Sequence, residues 1–334
     1  MSVSDEHELD AFWAGHFAER IAAGQAVDRI LSSVELLNLQ RAEHDVDLTL
    51  CERMPNLRDV ILPRTGVRVT GIDALSRIPR LRGLVVTGGS LTPSDLPALV
   101  RGGTLSKLHL NEMTLAAVDL DALRDAPKLS ELTLHRVQGL TGSDLATLVG
   151  LTRLRLSECE ASDLGALASM PRLRTLEIEG TPLATLDMLA APKLVAFVTD
   201  VRAADTAGLA HLTRKTGLQT FEYPVSDVTP LANCTHLARL RLDGSAPVDL
   251  RPIAHLPISS IDVYFAPSEQ AAEAILQQAR DTWPGLVETG YRKDWAMPQS
   301  TAAVGEPTPA DPPTPATPRP GLLGRLFGKG KEVQ

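Results

Sequence analysis

Residues 129–134 read LSELTL, residues 151–156 read LTRLRL and residues 173–178 read LRTLEI. Each stretch keeps apolar side chains at its first, fourth and sixth positions. The last two of these are two residues apart, which is the period of a β-strand with one buried face. The pattern recurs eleven times, and successive starts are 19 to 24 residues apart. The copies start at Val34, Leu57, Leu81, Leu105, Leu129, Leu151, Leu173, Leu194, Leu218, Leu237 and Ile258.

The composition fits a stack of thin layers better than one deep core. Leucine supplies 52 of the 334 residues, whereas Phe, Trp and Tyr together supply 12. Aromatic rings fill deep cores because each one buries a large area. A single copy exposes too much apolar surface to fold alone, so we expect neighbouring copies to stack and their strands to form a parallel sheet.

The repeat resembles the leucine-rich repeat family, whose pattern is L-x-x-L-x-L-x-x-N/C-x-L. Residues 225–237, VSDVTPLANCTHL, are similar to the bacterial internalin type. The resemblance covers residues 34–265 and implies an α/β fold, namely a right-handed solenoid with a parallel sheet on its concave side. In the family, the Asn links neighbouring turns. Other residues take its place here, among them Met113, Val137, Cys159 and Thr181.

The sequence predicts five segments. The spacing of Leu9, Trp13, Phe17 and Ile21 is typical of an amphipathic helix, which we expect to close the first end of the stack. The segments are an N-terminal capping helix over 1–33, about eleven repeats over 34–266, an α/β C-terminal cap over 267–297, a disordered Pro-rich linker over 298–320 and a basic amphipathic tail over 321–334.

Positions 2, 3, 5, 7 and 8 of each copy define an outer sheet face, which repeat proteins use for binding. Eleven basic and eleven acidic residues occupy it, with a net charge of +3 on the first six copies and −3 on the last five. Mixed charge suits a folded protein partner, whereas a nucleic-acid groove needs a basic face and this chain carries −8 overall. The predicted partner-binding residues are His109, His135, Arg136, Arg153, Arg155, Glu177, Glu179, Asp200, Arg241, Asp243 and Tyr264.

The same face offers one candidate for chemistry. His109 and His135 fall on neighbouring predicted strands, offset by two residues, which suggests a metal or acid–base site. No third ligand follows at a useful spacing, and the common nucleotide, hydrolase and metalloprotease motifs are absent. The sequence therefore predicts a non-catalytic protein with no cofactor, metal or small-molecule substrate. An enzyme with its site on the sheet is a weaker alternative.

The tail is the most distinctive segment outside the repeats. Its apolar side chains recur at i, i+1, i+4 and i+5 beside basic ones, so a helix would have one apolar face. Such a peptide on a flexible tether can dock on a partner protein, contact an anionic membrane weakly as part of a peripheral membrane adaptor, or remain a disordered end. The predicted docking residues are Leu322, Leu323, Arg325, Leu326, Phe327 and Lys329.

Three cysteines and the first ten residues bear on the compartment. Cys51, Cys159 and Cys234 are widely separated and lack the CxxC spacing of zinc or redox sites, so we expect three reduced thiols. Residues 1–10 show no basic region followed by an apolar run, and no stretch of about 18 apolar residues occurs. The sequence predicts a cytoplasmic protein that binds a protein partner.

Overall fold

The computed structural model describes residues 11–64, 66–88, 95–115 and 117–292. Its main feature is a parallel sheet in which each strand pairs with the next one along the chain. All eleven copies contribute a strand, which confirms the leucine-rich-repeat architecture. The strands are β1 Leu36–Asn38, β2 Asp59–Ile61, β3 Gly83–Thr87, β4 Lys107–Asn111, β5 Glu131–His135, β6 Arg153–Ser157, β7 Thr175–Glu179, β8 Ala196–Thr199, β9 Thr220–Val225, β10 Arg239–Asp243, β11 Ser260–Tyr264 and β12 Glu288–Arg292.

The register of the sheet follows the phase of the repeat. Leu108 lies opposite Leu132, which lies opposite Leu154, and all three side chains are buried. Because side chains alternate along a strand, the residues between these leucines point to the other side of the sheet. Strand β9 breaks the register, because two extra residues lie between Phe221 and Val225 when it is compared with β10.

The connections change character along the chain. Short α-helices follow β2 to β5, whereas 3-10 helices follow β1 and β6 to β10. The α-helices are α1 Ala11–His16, α2 Ala18–Ala22, α3 Val27–Ser33, α4 Asp73–Ser76, α5 Leu96–Val100, α6 Ala117–Arg124, α7 Gly142–Ala146 and α8 Glu269–Thr282. The 3-10 helices are Leu48–Arg53, Leu164–Ser169, Asp187–Ala190, Ala207–Arg214, Thr229–Leu231 and Arg251–Ile253.

Aromatic side chains pack at both ends of the stack. Trp13 is buried, and its indole nitrogen donates to the carbonyl oxygen of Asp47 at 3.1 Å. Trp283, just after α8, donates in the same way to the carbonyl of Leu256 at 2.9 Å. Residues 11–33 form three short helices, where the spacing predicts one. The chain also adds β12, a strand that lacks the repeat pattern.

The predicted linker over 298–320 and tail over 321–334 lie outside the described residues, and so do the six predicted docking residues of the tail. They therefore stay predictions. Among the helices that the structure describes, none has both the length and the apolar character needed to cross a bilayer.

Candidate functional site

The outer sheet face consists of three rows of side chains that run across the strands. We name the entry row for positions 2 and 3 of each copy, the middle row for position 5 and the exit row for positions 7 and 8. Arg153 lies in the entry row. The middle row contains His109, Arg155, Glu177 and Arg241, and the exit row contains His135, Arg136, Glu179, Asp200, Asp243 and Tyr264.

His109 is an imidazole buried on the outward side of the sheet. It pairs in register with Thr133, while Asn111 pairs with His135, so the two histidines have the predicted offset. His109 is 6% exposed, and neither ring nitrogen has a hydrogen bond of normal geometry within the described chain. Burial, with smaller contributions from His135 and Arg155, lowers the pKa of His109 to about 4, against a weak opposing contact with Asn111. The ring is therefore neutral at pH 7.

Two apolar residues continue the middle row beside His109. Val85 lies opposite it on β3, and Ile61 lies opposite Val85 on β2. Their exposed fractions are 3% and 4%, although both side chains point away from the inner core. The sequence reasoning considered charged residues on this face and missed these two. Their apolar character at position 5 of consecutive copies is the signal that could have found them.

A chain of ion pairs runs along the exit row from β4 to β6. The guanidinium of Arg136 lies 2.8 Å from a Glu158 carboxylate oxygen and 3.5 Å from one of Glu112, and Nε2 of His135 lies 3.9 Å from Glu158. Glu112, Arg136 and Glu158 each have φ of 52°, in the left-handed region that non-glycine residues rarely adopt. Gly180 occupies the same position in the following copy with φ of 56°. Charged side chains are therefore held here at some backbone cost.

Arg155 and Arg153 have different surroundings although they lie on the same strand. Arg155 approaches Glu177 at 3.3 Å and Glu179 at 2.8 Å, and its side chain is 20% exposed. Arg153 is exposed and forms no ion pair with any residue that the structure describes. Of these two predicted residues, only Arg153 presents an unpaired charge.

Arg241 is the most deeply buried cation of the face, with 9% exposure. Its Nη1 donates to the carbonyl of Thr199 at 2.7 Å, and its Nη2 donates to the Glu222 carboxylate at 2.8 Å. In a regular parallel ladder, the carbonyl at position 6 accepts from the backbone N–H at position 7 of the next copy. On β9 that position is Pro224, which has no N–H. Arg241 therefore supplies the donor that β9 lacks.

Arg202 forms a second such link, which the sequence reasoning did not include. It follows β8 and donates to the Asp243 carboxylate of β10 at 2.5 Å, and its guanidinium lies 4.1 Å from the centre of the Phe265 ring. Arg241 lies in the same way over Tyr264, at 4.6 Å. Cation–ring contacts of this kind add to the ion pairs when they are shielded from water.

Asp200 binds backbone rather than an arginine. Its Oδ1 accepts from the backbone N–H of Gly180 at 2.7 Å. Burial raises the pKa of Asp200, partly offset by this hydrogen bond. The predicted residues thus separate into those with fixed internal partners and those without.

The fold was compared with known proteins. The internalin InlF of Listeria monocytogenes matches with a TM-score of 0.51 and 18% identity, over 85% of this chain and 91% of the internalin. The chain has an internalin-like leucine-rich-repeat fold.

Other solved leucine-rich-repeat structures match with lower scores. Internalin C2 of the same bacterium has a TM-score of 0.36 and 17% identity, over 71% of this chain and 83% of its own. A plant peptide hormone receptor, RGFR1 in complex with RGF2, has a TM-score of 0.42 and 10% identity, over 66% and 46%. No family model and no curated protein sequence matches the chain.

The side chains of the leucine-rich-repeat face can form hydrogen bonds, ion pairs and ring contacts. In the described part of the chain, no group of three or more His, Cys, Asp or Glu side chains is arranged to hold a metal ion. The three cysteines are buried and free, and burial raises the pKa of Cys51 to about 12, so its thiol is not ionised at neutral pH. These properties suit recognition of another molecule.

Proposed function

We propose that the chain is a non-catalytic scaffold that binds a protein partner on the outer sheet face. The observation that carries the proposal is His109, a buried imidazole on the outward side of the sheet whose ring nitrogens have no hydrogen bond of normal geometry with the residues that the structure describes. Leaving a buried polar group unpaired costs about 1–3 kcal/mol, and a partner that displaces the side chains around the ring and supplies the missing bond recovers part of this cost. The few positions that dominate binding energy are typically desolvated, and His109 lies beside the buried apolar side chain of Val85.

The proposal places the protein in the cytoplasm, because three buried free thiols suit a reducing compartment. It includes no catalytic residue and no cofactor. The fold of the comparison structures supports a binding surface only by analogy.

A bulky residue at the centre of the outer sheet face tests the main proposal. Thr133 lies in the middle row beside His109 and is partly exposed. We expect affinity capture with the wild-type chain to recover a partner that Thr133→Trp no longer recovers. Thr213→Trp, at an exposed position of the 3-10 helix Ala207–Arg214, is the matched control and should behave as wild type. Equal recovery by both variants would contradict binding on this face.

The proposal also includes a tethered docking peptide, residues 321–334. Its support is the sequence pattern of four apolar side chains beside three basic ones. Removing 321–334 should reduce partner recovery without changing the melting temperature of the repeats. Unchanged recovery would remove the docking peptide from the proposal, and loss of liposome co-sedimentation in the same variant would favour the membrane instead.

A further inference from the structure

From the fourth copy onward, the charges of the outer sheet face separate along the strands, from the entry row to the exit row. In the eight copies that start at Leu105 to Ile258, the entry row has four basic residues against one acidic, a net charge of +3. The exit row of the same copies has one basic residue against five acidic, a net charge of −4. The entry-row charges are Lys107, Glu131, Arg153, Arg174 and Arg239, and the exit-row charges are Glu112, Arg136, Glu158, Glu179, Asp200 and Asp243.

Pairing with other residues reduces this separation only in part. Arg202, one residue beyond the exit row, pairs with Asp243, and Arg155 of the middle row pairs with Glu179, which leaves that edge near −2. Arg153, Arg174 and Arg239 are exposed and form no ion pair with any residue in the described ranges. The two rows lie four to five residues apart along the strands, which is about 15 Å. Opposite net charges on the two rows at that separation orient a charged molecule that binds between them.

The middle row between these edges has little net charge near β4. His109 and Thr133 occupy it, with Val85 beside them, and within the described residues the ring nitrogens of His109 have no hydrogen bond of normal geometry. In these eight copies the face therefore has a basic edge, a middle row that is weakly polar near β4, and an acidic edge.

We infer that the outer sheet face binds a protein segment that runs along the strands, with an acidic part over the entry row and a basic part over the exit row. The inference rests on the proposed function and adds the chemistry and orientation of the partner. The segment contacts Arg153 and Arg174 with carboxylates, and Glu112 and Glu158 with lysine or arginine. Its centre lies over His109. A segment with one sign of charge is repelled by one of the two edges.

Selection of random 16-residue peptides on phage against the full chain tests the inference for a partner of any identity. We expect the enriched peptides to carry an acidic block and a basic block, separated by a distance that matches about 15 Å. Selection against Arg153→Glu/Arg174→Glu should instead enrich peptides that are basic throughout. Enrichment of the same peptides by both proteins, or of peptides without separated charges, would overturn the inference.

The affinity of one selected peptide for wild type and for the variants then measures how much the two entry-row arginines contribute to binding. We expect Arg153→Glu/Arg174→Glu to weaken its binding at least tenfold in fluorescence anisotropy at low salt, and high salt to weaken wild-type binding. Arg29→Glu/Arg214→Glu has the same change in net charge, at exposed positions of α3 and of a 3-10 helix, and should stay within twofold of wild type.

Thr133→Trp distinguishes failure of the inference from failure of the proposed function. If it abolishes binding of peptides that lack separated charges, the face binds proteins but the inference is wrong. If the selected peptides bind Thr133→Trp as well as wild type, or none is enriched, both proposals fail. Light scattering should show a monomer, since a dimer that Thr133→Trp dissociates would make a second copy the occupant and overturn the inference.

Discussion

Two regions of the same outer sheet face bury their middle row in different ways. On β2 to β4 the row consists of Ile61, Val85 and His109, and the one polar member has no hydrogen-bond partner within the described chain. On β9 and β10 the row contains Glu222 and Arg241, which bind each other at 2.8 Å. The first region keeps an unpaired group, whereas the second has satisfied its charges internally. Charge on the face is therefore a poor guide to binding unless its internal partners are known.

The largest expected effect on stability comes from removing Arg241, whose hydrogen bonds and ion pair are all internal. Arg241→Met removes the donor to the Thr199 carbonyl and leaves the Glu222 carboxylate, which is partly buried, without its cation. Removing one partner of a buried pair is strongly destabilising, so we expect the free energy of unfolding to fall by about 3 kcal/mol in urea denaturation.

The double variant Glu222→Leu/Arg241→Met is the control for that prediction. It removes both charges and should recover part of the lost stability, because an apolar pair tolerates burial. If the single and double variants are equally unstable, the loss comes from the Thr199 carbonyl or from packing over Tyr264.

The imidazole of His109 should make the free energy of unfolding fall at acidic pH. The pKa of His109 is lowered to about 4, so between pH 6.5 and 4 the unfolded chain binds a proton that the folded chain does not. Stability is unaffected by this group above pH 6.5 and falls as the pH decreases, by about 3 kcal/mol at pH 4 relative to a chain without the histidine. Urea denaturation of wild type and His109→Leu at several pH values measures this difference.

Other titrating groups act on both proteins alike. Burial raises the pKa of Asp59 and Asp200, which gives the opposite slope in wild type and in the variant. The difference between the two curves therefore isolates His109. Parallel curves down to pH 4 would mean that the imidazole has a partner in solution, and would weaken the proposed function.

The smallest expected effect on stability is the difference between Arg153 and Arg155, which lie on the same strand. Arg155→Ala removes two ion pairs at a side chain that is 20% exposed, so we expect a loss of about 1 kcal/mol that decreases with added salt. Arg153→Ala removes an exposed side chain that has no ion pair in the described part of the chain, and it should change stability by less than about 0.5 kcal/mol. A larger loss of stability in Arg153→Ala than in Arg155→Ala would contradict the ion pairs that the structure assigns to Arg155.

The repeat phase in the sequence predicted the strands and the offset of His109 from His135. It did so because position in the copy determines which side of the sheet a residue faces. It could not predict that Arg155 and Arg241 have internal partners, since the phase gives direction but not the conformation of a long side chain. The link from Arg241 depends on a carbonyl two strands away that Pro224 leaves without a donor.

Other differences have similarly local causes. Strand β12 lacks the leucine pattern, and it follows α8 instead of a repeat turn, so periodicity gives no signal for it. The predicted single capping helix is three short helices, interrupted near Gly24, which has φ of 74°. A glycine tolerates that angle and ends a helix. The spacing of Trp13, Phe17 and Ile21 continues through the other break, at Phe17, and does not reveal it.

The bonds of Arg202 and Arg241 have a consequence for how the chain can change in evolution. In most of the sheet a copy contacts only its immediate neighbours, so copies can be gained or lost where two similar interfaces remain. Arg202 reaches Asp243 and Arg241 reaches Thr199, each across the intervening strand β9. Deleting the β9 copy would remove Pro224 and Glu222 together. Arg202 and Arg241 would then lose the strand spacing on which their hydrogen bonds depend. The stretch from β8 to β10 is therefore less tolerant of a change in copy number than a stretch in which each copy bonds only to its immediate neighbours.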